Sequence, residues 1–380
     1  MSKPGPPKTI TALRYYGKKD LRLEQIPPQP CGPDSVRLQI AFCGICGSDI
    51  HEYLGGPIFP PKPGQKNPWT GEQLPITLGH EFSGVVTETG ANVHHLKPGA
   101  RVAVNPAFDD RHYGIEPCNT CLLGKRNICQ RYASYGLSAP GGGFASEIVV
   151  QAISCIALPD SVPLEVGALL EPLAVAWHSL RTAGFVRGQS ALVLGAGPIG
   201  LAIVMLLRVW GARTIVVSEV TPARKRLAKE FGADVVVDPL AAGEKDAVLS
   251  AVHQMVSPDG VDVAFEATGL QSTLDSAVAS VRPGGTVFNV AIHEKPLMLN
   301  LNDIACLEKR LTGGMCYTME DFAGVIGALE EGSLPAQKMI TSIVSLENAV
   351  DGGILELIRS RDSHVKILVR PSGSHGVSRL

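Results

Sequence analysis

The stretch Phe42-Cys43-Gly44-Ile45-Cys46-Gly47-Ser48-Asp49-Ile50-His51 packs two thiols, a hydroxyl, a carboxylate and an imidazole into ten residues. A thiolate is a soft metal ligand, and a hydroxyl and an imidazole beside it can move protons. Taken alone, a Cys-x-x-Cys turn also fits a redox pair or an ordinary buried pair. Gly79-His80-Glu81 and Glu171-Pro172 supply the ligand types that the short stretch lacks.

A second constellation is Gly195-Ala196-Gly197-Pro198-Ile199-Gly200, set between an apolar strand and a helix. Gly195 allows the tight turn, Gly197 lets a pyrophosphate approach the backbone, and Gly200 permits close helix–strand packing. The helix N-terminus, opened by Pro198 and Ile199, offers free N–H groups and partial positive charge to phosphates. Glu219 ends the next strand, 19 residues after Gly200, where an acid would bond the adenosine ribose hydroxyls. Its charge would also repel a 2′-phosphate, so NAD(H) is expected over NADP(H). Arg224 and Lys225 lie near enough in sequence to meet such a phosphate, or they are the solvated face of their helix. A third cluster, Cys118-x-x-Cys121 followed after seven residues by Cys129, has the pattern of a zinc knuckle.

The elements that must position these groups fall into two textures. Short strands are expected at Ile10–Tyr16, Leu21–Gln25, Val36–Ile40, Phe82–Glu88, Arg101–Pro106 and Phe144–Val150, with Gly55–Pro75 a surface loop and His94 and His95 in a turn. From Ser190 on, strands alternate with helices: Ser190–Leu194, Pro198–Val209, Thr214–Ser218, Pro222–Phe231, Val235–Asp238, a helix near Lys245–Val256, Val261–Ala267, Leu270–Val281 and Thr286–Ala291. Repeated βαβ units with near-continuous apolar strands imply a doubly wound parallel sheet covered on both faces, so the chain is α/β. The last segment, Ile343–Val369, carries an amphipathic helix at Ala349–Arg359 and a closing strand at Val365–Val369 that could return to the first domain.

Composition narrows the function classes. A chain of 380 residues, 45% hydrophobic with net charge −2, reads as a two-domain globular protein with no electrostatic footprint for nucleic acid or an anionic membrane. The apolar run Leu201–Trp210 is broken by Arg208 and is too short to span a bilayer. No secretory signal is visible, so the nine cysteines are read in a reducing compartment and the cytoplasm is the expected location. The C-terminal Ser378-Arg379-Leu380 resembles a peroxisomal address and gives a second expectation.

Taken together, Cys46-Gly47-Ser48-Asp49-Ile50-His51, Gly79-His80-Glu81, Glu171-Pro172-Leu173-Ala174 and the glycine loop resemble the zinc-dependent medium-chain alcohol dehydrogenases over nearly the whole chain. Leu78–Gly84 and Leu170–His178 resemble the butanediol dehydrogenases, close to the sorbitol-type polyol enzymes. The resemblance implies a GroES-like β-rich catalytic domain at residues 1–172 and 318–380 and a Rossmann domain at 173–317. It makes Cys46, His80 and Glu171 the ligands of a catalytic zinc, leaving a fourth position open. Glu81 becomes an acid beside the metal, and Asp49 the holder of the His80 imidazole. Cys43 becomes a buried bystander. Ser48 takes the alcohol proton and His51 passes it to solvent, while hydride moves to the nicotinamide of NAD. A secondary alcohol or vicinal diol is the implied substrate, and a homodimer or homotetramer the implied assembly.

The family's lobe has four cysteines, but Ile115 stands where the first belongs. Either the lobe is metal-free or a nearby group such as Glu116 or His112 completes a tetrahedron; a second zinc with such a substitute ligand is the expectation. Two rivals share the fold: a zinc-free quinone reductase, which would not need all three ligands, and a non-catalytic NAD sensor or structural protein, which could lose Ser48 and His51 without penalty.

Overall fold

The computed structural model describes residues 9–241, 246–293, 295–360 and 362–371. The Ser378-Arg379-Leu380 signal lies outside the described residues. The chain divides into two compact units, one of residues up to Glu171 and from Gln337 on, the other Pro172–Ala336.

Unit 1 begins with the hairpin β1 (Ile10–Gly17) and β2 (Asp20–Ile26), then β3 (Ser35–Gly44), which runs into α1 (Gly47–Gly55). β4 (Ile76–Thr77), β5 (Glu81–Thr89) and β6 (Arg101–Val104) follow, then the single turn α2 (Asn119–Leu122), β7 (Glu147–Gln151), β8 (Cys155–Ala157) and the short α3 (Leu164–Gly167). Val36, Leu38 and Ile40 alternate inward along β3 and are fully buried, as period-2 patterning demands. Phe144 is drawn away from β3, its N–H donating to the Leu78 carbonyl and its carbonyl accepting from the Leu13 N–H. The strand therefore starts at Glu147, later than the expected Phe144.

The division between the units falls inside α4 (Leu170–Ala183). Unit 2 then runs β9 (Ser190–Leu194), α5 (Pro198–Val209), β10 (Thr214–Ser218), α6 (Pro222–Glu230), β11 (Val235–Val237), α7 (Ala247–Met255), β12 (Val261–Glu266) and α8 (Gln271–Ser280). It continues with β13 (Val281–Asn289), α9 (Asn302–Ala305), β14 (Arg310–Gly313) and α10 (Met319–Glu330). Its sheet is six-stranded in the order β11-β10-β9-β12-β13-β14, with every pairing parallel. All five residues of β9 are buried, as expected for a strand covered on both faces. The strand order reverses at β9, so the loop after β9 sits at the switch point where such sheets bind ligands.

The return to unit 1 comes at Gln337 rather than at residue 318. α10 belongs to unit 2 because its buried Asp321 is gripped by α4. His178 Nδ1 lies 2.9 Å from Asp321 Oδ2, and Arg181 Nε donates to Oδ1 at 2.8 Å. Burial works to raise the Asp321 carboxyl, but His178, Arg181 and the Thr318 N–H outweigh it and hold it at about 2, below the ordinary 3.8. A depressed carboxylate contributes stability above its unfolded pKa and loses it as pH falls through the folded one. We therefore expect Asp321→Asn to destabilise the protein by about 3 kcal/mol at pH 7. The gap to wild type should close as pH falls from about 4 to about 2. Unfolding midpoints across that range check this, and a gap independent of pH contradicts it.

The chain closes with β15 (Ile340–Ser345), a π-helical stretch at Ala349–Ile354 that runs into α11 (Leu355–Arg359), and β16 (Lys366–Arg370). These complete a sheet ordered β15-β16-β3-β5-β6-β8, with β7 also on β3. Among the described residues no helix is long and apolar enough to cross a membrane.

Candidate active site and metal centres

Three strands and one helix build the first site. Gly44 at the end of β3 pairs with Glu81 at the start of β5 and with Leu368 of β16. A side chain on Gly44 would run into the Glu81 carboxylate, so this position must stay bare. Cys46 then caps α1, its N–H donating to Asp49 Oδ2 at 2.9 Å. The ligand atoms of Cys46, His80 and Glu81 fall within 4.8 Å of one another. Ser48 Oγ lies 3.2 Å from His80 Nε2, and His51 stands exposed one helical turn further along α1.

Glu171, expected as the third ligand, is outside that set of three, although it is buried at the start of α4 and its charge acts on His80. Asp49 Oδ1 faces His80 Nδ1 at 3.7 Å, too long for a hydrogen bond, and both atoms are buried without a partner. Burial alone would lower the His80 imidazole, but Asp49, Cys46 and Glu171 together push it well above its ordinary value. A buried pocket whose acids and thiol draw a proton onto its imidazole has the donor set and the charge of a site for a cation. The residues present therefore fit zinc.

One member of the site was absent from the sequence reading. Lys366 of β16 is 2% exposed, and its ammonium donates to both Glu81 oxygens, at 2.7 and 2.8 Å, and to the Ile45 carbonyl. Burial disfavours this charge, but Glu81 outweighs it and raises the pKa, so the lysine stays protonated. The available signal was a lysine inside an otherwise apolar closing strand. Cys43, by contrast, is a fully buried thiol pressed against Gly79 and Gly143, and burial pushes its pKa up. Such a thiol is inert.

The dinucleotide loop follows β9. Gly195 adopts φ +95°, and a Cβ at Gly200 would strike the Gly195 carbonyl. Gly197 faces open space ahead of α5, where Pro198 fills the first position and Ile199 the second. The Glu219 carboxylate is pinned by three backbone N–H groups: Ala196 donates to Oε2, and Val220 and Thr221 to Oε1, each at 2.8 Å. Three bonds leave a carboxylate acceptor capacity for a ribose hydroxyl. Lys225 is tied to Asp238 at 2.6 Å, and Arg224 is half-buried on α6.

In the cysteine lobe neither candidate, Glu116 nor His112, lies among the three thiols. His112 is engaged by Ser154 and by the Asp109 N–H, and Glu116 stands exposed. The buried group among the three thiols is Asp110, whose ligand atoms lie within 4.8 Å of those of Cys118, Cys121 and Cys129.

The comparisons with known proteins show the family. Residues 32–160 match the family model of the alcohol dehydrogenase GroES-like domain, and residues 198–331 that of the zinc-binding dehydrogenases. The probable diacetyl reductase [(R)-acetoin forming] 2 of Saccharomyces cerevisiae is 39% identical, covering 97% of this chain and 91% of its own. The (R,R)-butanediol dehydrogenase of the same yeast is 38% identical, over 97% and 99%. The crystal structure of 2R,3R-butanediol dehydrogenase from Bacillus subtilis superposes with TM-score 0.88 at 37% identity, over 96% and 100%. The chain belongs to the zinc-binding medium-chain dehydrogenases, on their butanediol dehydrogenase branch.

Proposed function

We propose that this enzyme oxidises a vicinal diol of the 2,3-butanediol type to the hydroxyketone with NAD, and catalyses the reverse reduction. The observation that carries the reading is the convergence of Cys46, His80 and Glu81 beside the Ser48 hydroxyl. Cys46, His80 and Glu171 would hold zinc, with Glu81 beside them. When bound, zinc supplies a Lewis acid that makes an alcohol proton easier to remove, as it lowers the pKa of bound water from about 15.7 to about 7.

The chain's own residues do the rest. Ser48, already against His80 Nε2, accepts the alcohol proton, and His51, three residues on and on the same face of α1, releases it to solvent. Lys366 donates to both Glu81 oxygens and fixes the carboxylate beside the site, where a second oxygen of a diol could meet it. In unit 2, Gly197 and the α5 N-terminus would receive the pyrophosphate and Glu219 the ribose, which favours NAD over NADP.

Initial rates of NADH formation test this on a panel of 2,3-butanediol isomers, sorbitol and xylitol, repeated with NADP. The expected result is a kcat/KM for one butanediol isomer at least about tenfold above the polyols, and a similar preference for NAD. A polyol preference, or equal use of NADP, contradicts the respective part.

The free state of all nine cysteines supports a reducing compartment, the cytoplasm. Exposed Leu307, Leu311 and Met315, on or beside the edge strand β14, support a homo-oligomer, a dimer or tetramer that light scattering would register.

A further inference from the structure

We propose that Asp110 is the fourth ligand of a second, structural zinc, completing an Asp-Cys₃ site whose outer partner is Arg131. Cys118 Sγ and Cys129 Sγ are 3.8 Å apart, and Cys129 Sγ is 3.3 Å from Asp110 Oδ1. Two sulfurs bound to one tetrahedral zinc at about 2.3 Å stand about 3.8 Å apart, and a sulfur and an oxygen about 3.6 Å apart. The Cys118–Cys129 pair thus already stands at the edge length of a zinc tetrahedron, all four ligand atoms lie within 4.8 Å of one another, and the thiols are not bridged.

Among the described residues the lobe has no apolar core of its own beyond its thiols. Its buried cluster consists of Cys118, Cys121 and Cys129 alone, while Ile115, Leu122, Leu123 and Ile128 all point to solvent. Tyr113 packs against the main core, but three thiols bury too little apolar surface to hold the rest of this irregular lobe together, and small folds in that position use a metal as staple. Zinc bound by three thiolates and a carboxylate explains why the cysteines, not the leucines, face inward.

Asp110 itself is 1% exposed. Its Oδ2 accepts the Cys118 N–H at 2.6 Å, and its Oδ1 accepts from Arg131 Nη1 at 2.7 Å. Each carboxylate oxygen has two lone pairs, so one remains on Oδ1, on the side of the Cys129 sulfur. Zinc with four anionic ligands carries net charge −2, and Arg131 halves it, as outer partners of metal sites commonly do. Asp110 stands five residues before Ile115, and the Asp110–Tyr113 turn folds it back to the thiols in that residue's stead.

Metal analysis of the purified full chain should return two zinc per subunit. In Cys46→Ser, which empties the catalytic site, one zinc should remain, and X-ray absorption at its edge should report three sulfurs and one oxygen. Asp110→Ala should lose that zinc and become open to trypsin at Lys125, Arg126 and Arg131, where the zinc-bound wild type should resist cleavage. One zinc per subunit in wild type, or a second zinc retained unchanged in Asp110→Ala, overturns the proposal. Diol oxidation is read separately: an active protein with one zinc contradicts the lobe site alone, and an inactive one with two zincs contradicts the proposed reaction alone.

Discussion

Cys46→Ser should lower the zinc content by one per subunit and cut kcat/KM for the diol by about 10³-fold or more. The thiolate is the softest of the donors gathered at the end of β3, and with the Glu171 carboxylate it would balance the charge of the metal. Serine keeps the shape of the α1 cap, including the backbone N–H that Asp49 accepts, but its hydroxyl stays protonated and binds zinc poorly. Loss of a Lewis acid worth several kcal/mol, at 1.36 kcal/mol per decade, gives the stated factor. Zinc analysis and initial rates on the same preparation check both halves. A variant that loses its zinc and keeps its rate would show that the metal is structural.

Ser48→Ala should leave the zinc content and KM nearly unchanged and lower kcat by about 10²-fold, the lower end of what a positioned proton acceptor contributes. The hydroxyl is 3.2 Å from His80 Nε2, so it stands where a substrate oxygen at the metal would meet it. Ser48→Thr, which keeps the hydroxyl, should recover most of the rate. His51→Asn should cost less than Ser48→Ala, because His51 is exposed and buffer can take over its role. Added imidazole should then restore the rate of His51→Asn and leave that of Ser48→Ala low. A Ser48→Ala variant with undiminished kcat would remove the hydroxyl from the proton path.

The parts of the molecule legible in the sequence are those set by local chemistry. β9, α5 and β10 begin and end at the residues expected of them, because apolar runs, Pro198 and the glycines fix backbone geometry within a few residues. The three-cysteine lobe and the Cys46–His51 stretch are local in the same sense. What escaped is what long-range pairing decides. Lys366 meets Glu81 across 285 positions, through the β16–β3–β5 register, and no spacing rule reaches that far. Asp110 was hidden for a subtler reason. The four-cysteine pattern directs attention to position 115, while the 3₁₀ turn at Asp110–Tyr113 brings in an acid from outside the pattern.

Helices were missed where local signals conflict with packing. α4 starts at Leu170-Glu171-Pro172, and a proline two residues into a segment reads as a break, although it is tolerated in a first helical turn. α10 has a sound cap in Thr318 and Asp321, but its place in unit 2 depends on the bonds from Asp321 to α4. The helix expected at Ala349–Arg359 starts as a π-helical stretch around Gly352 and Gly353, where small residues let the chain widen and pack against Ile45.

The central claim is that this chain is a zinc-dependent diol dehydrogenase, and one measurement addresses it directly. The rate of NADH formation from 2R,3R-butanediol is followed on one preparation as isolated, after the exchangeable zinc is stripped with a chelator, and after zinc is returned. Turnover is expected in the first state, loss of at least about 99% in the second and recovery in the third, in proportion to the zinc restored at Cys46 and His80. Full turnover by the stripped protein, or none by the reloaded one, would contradict it.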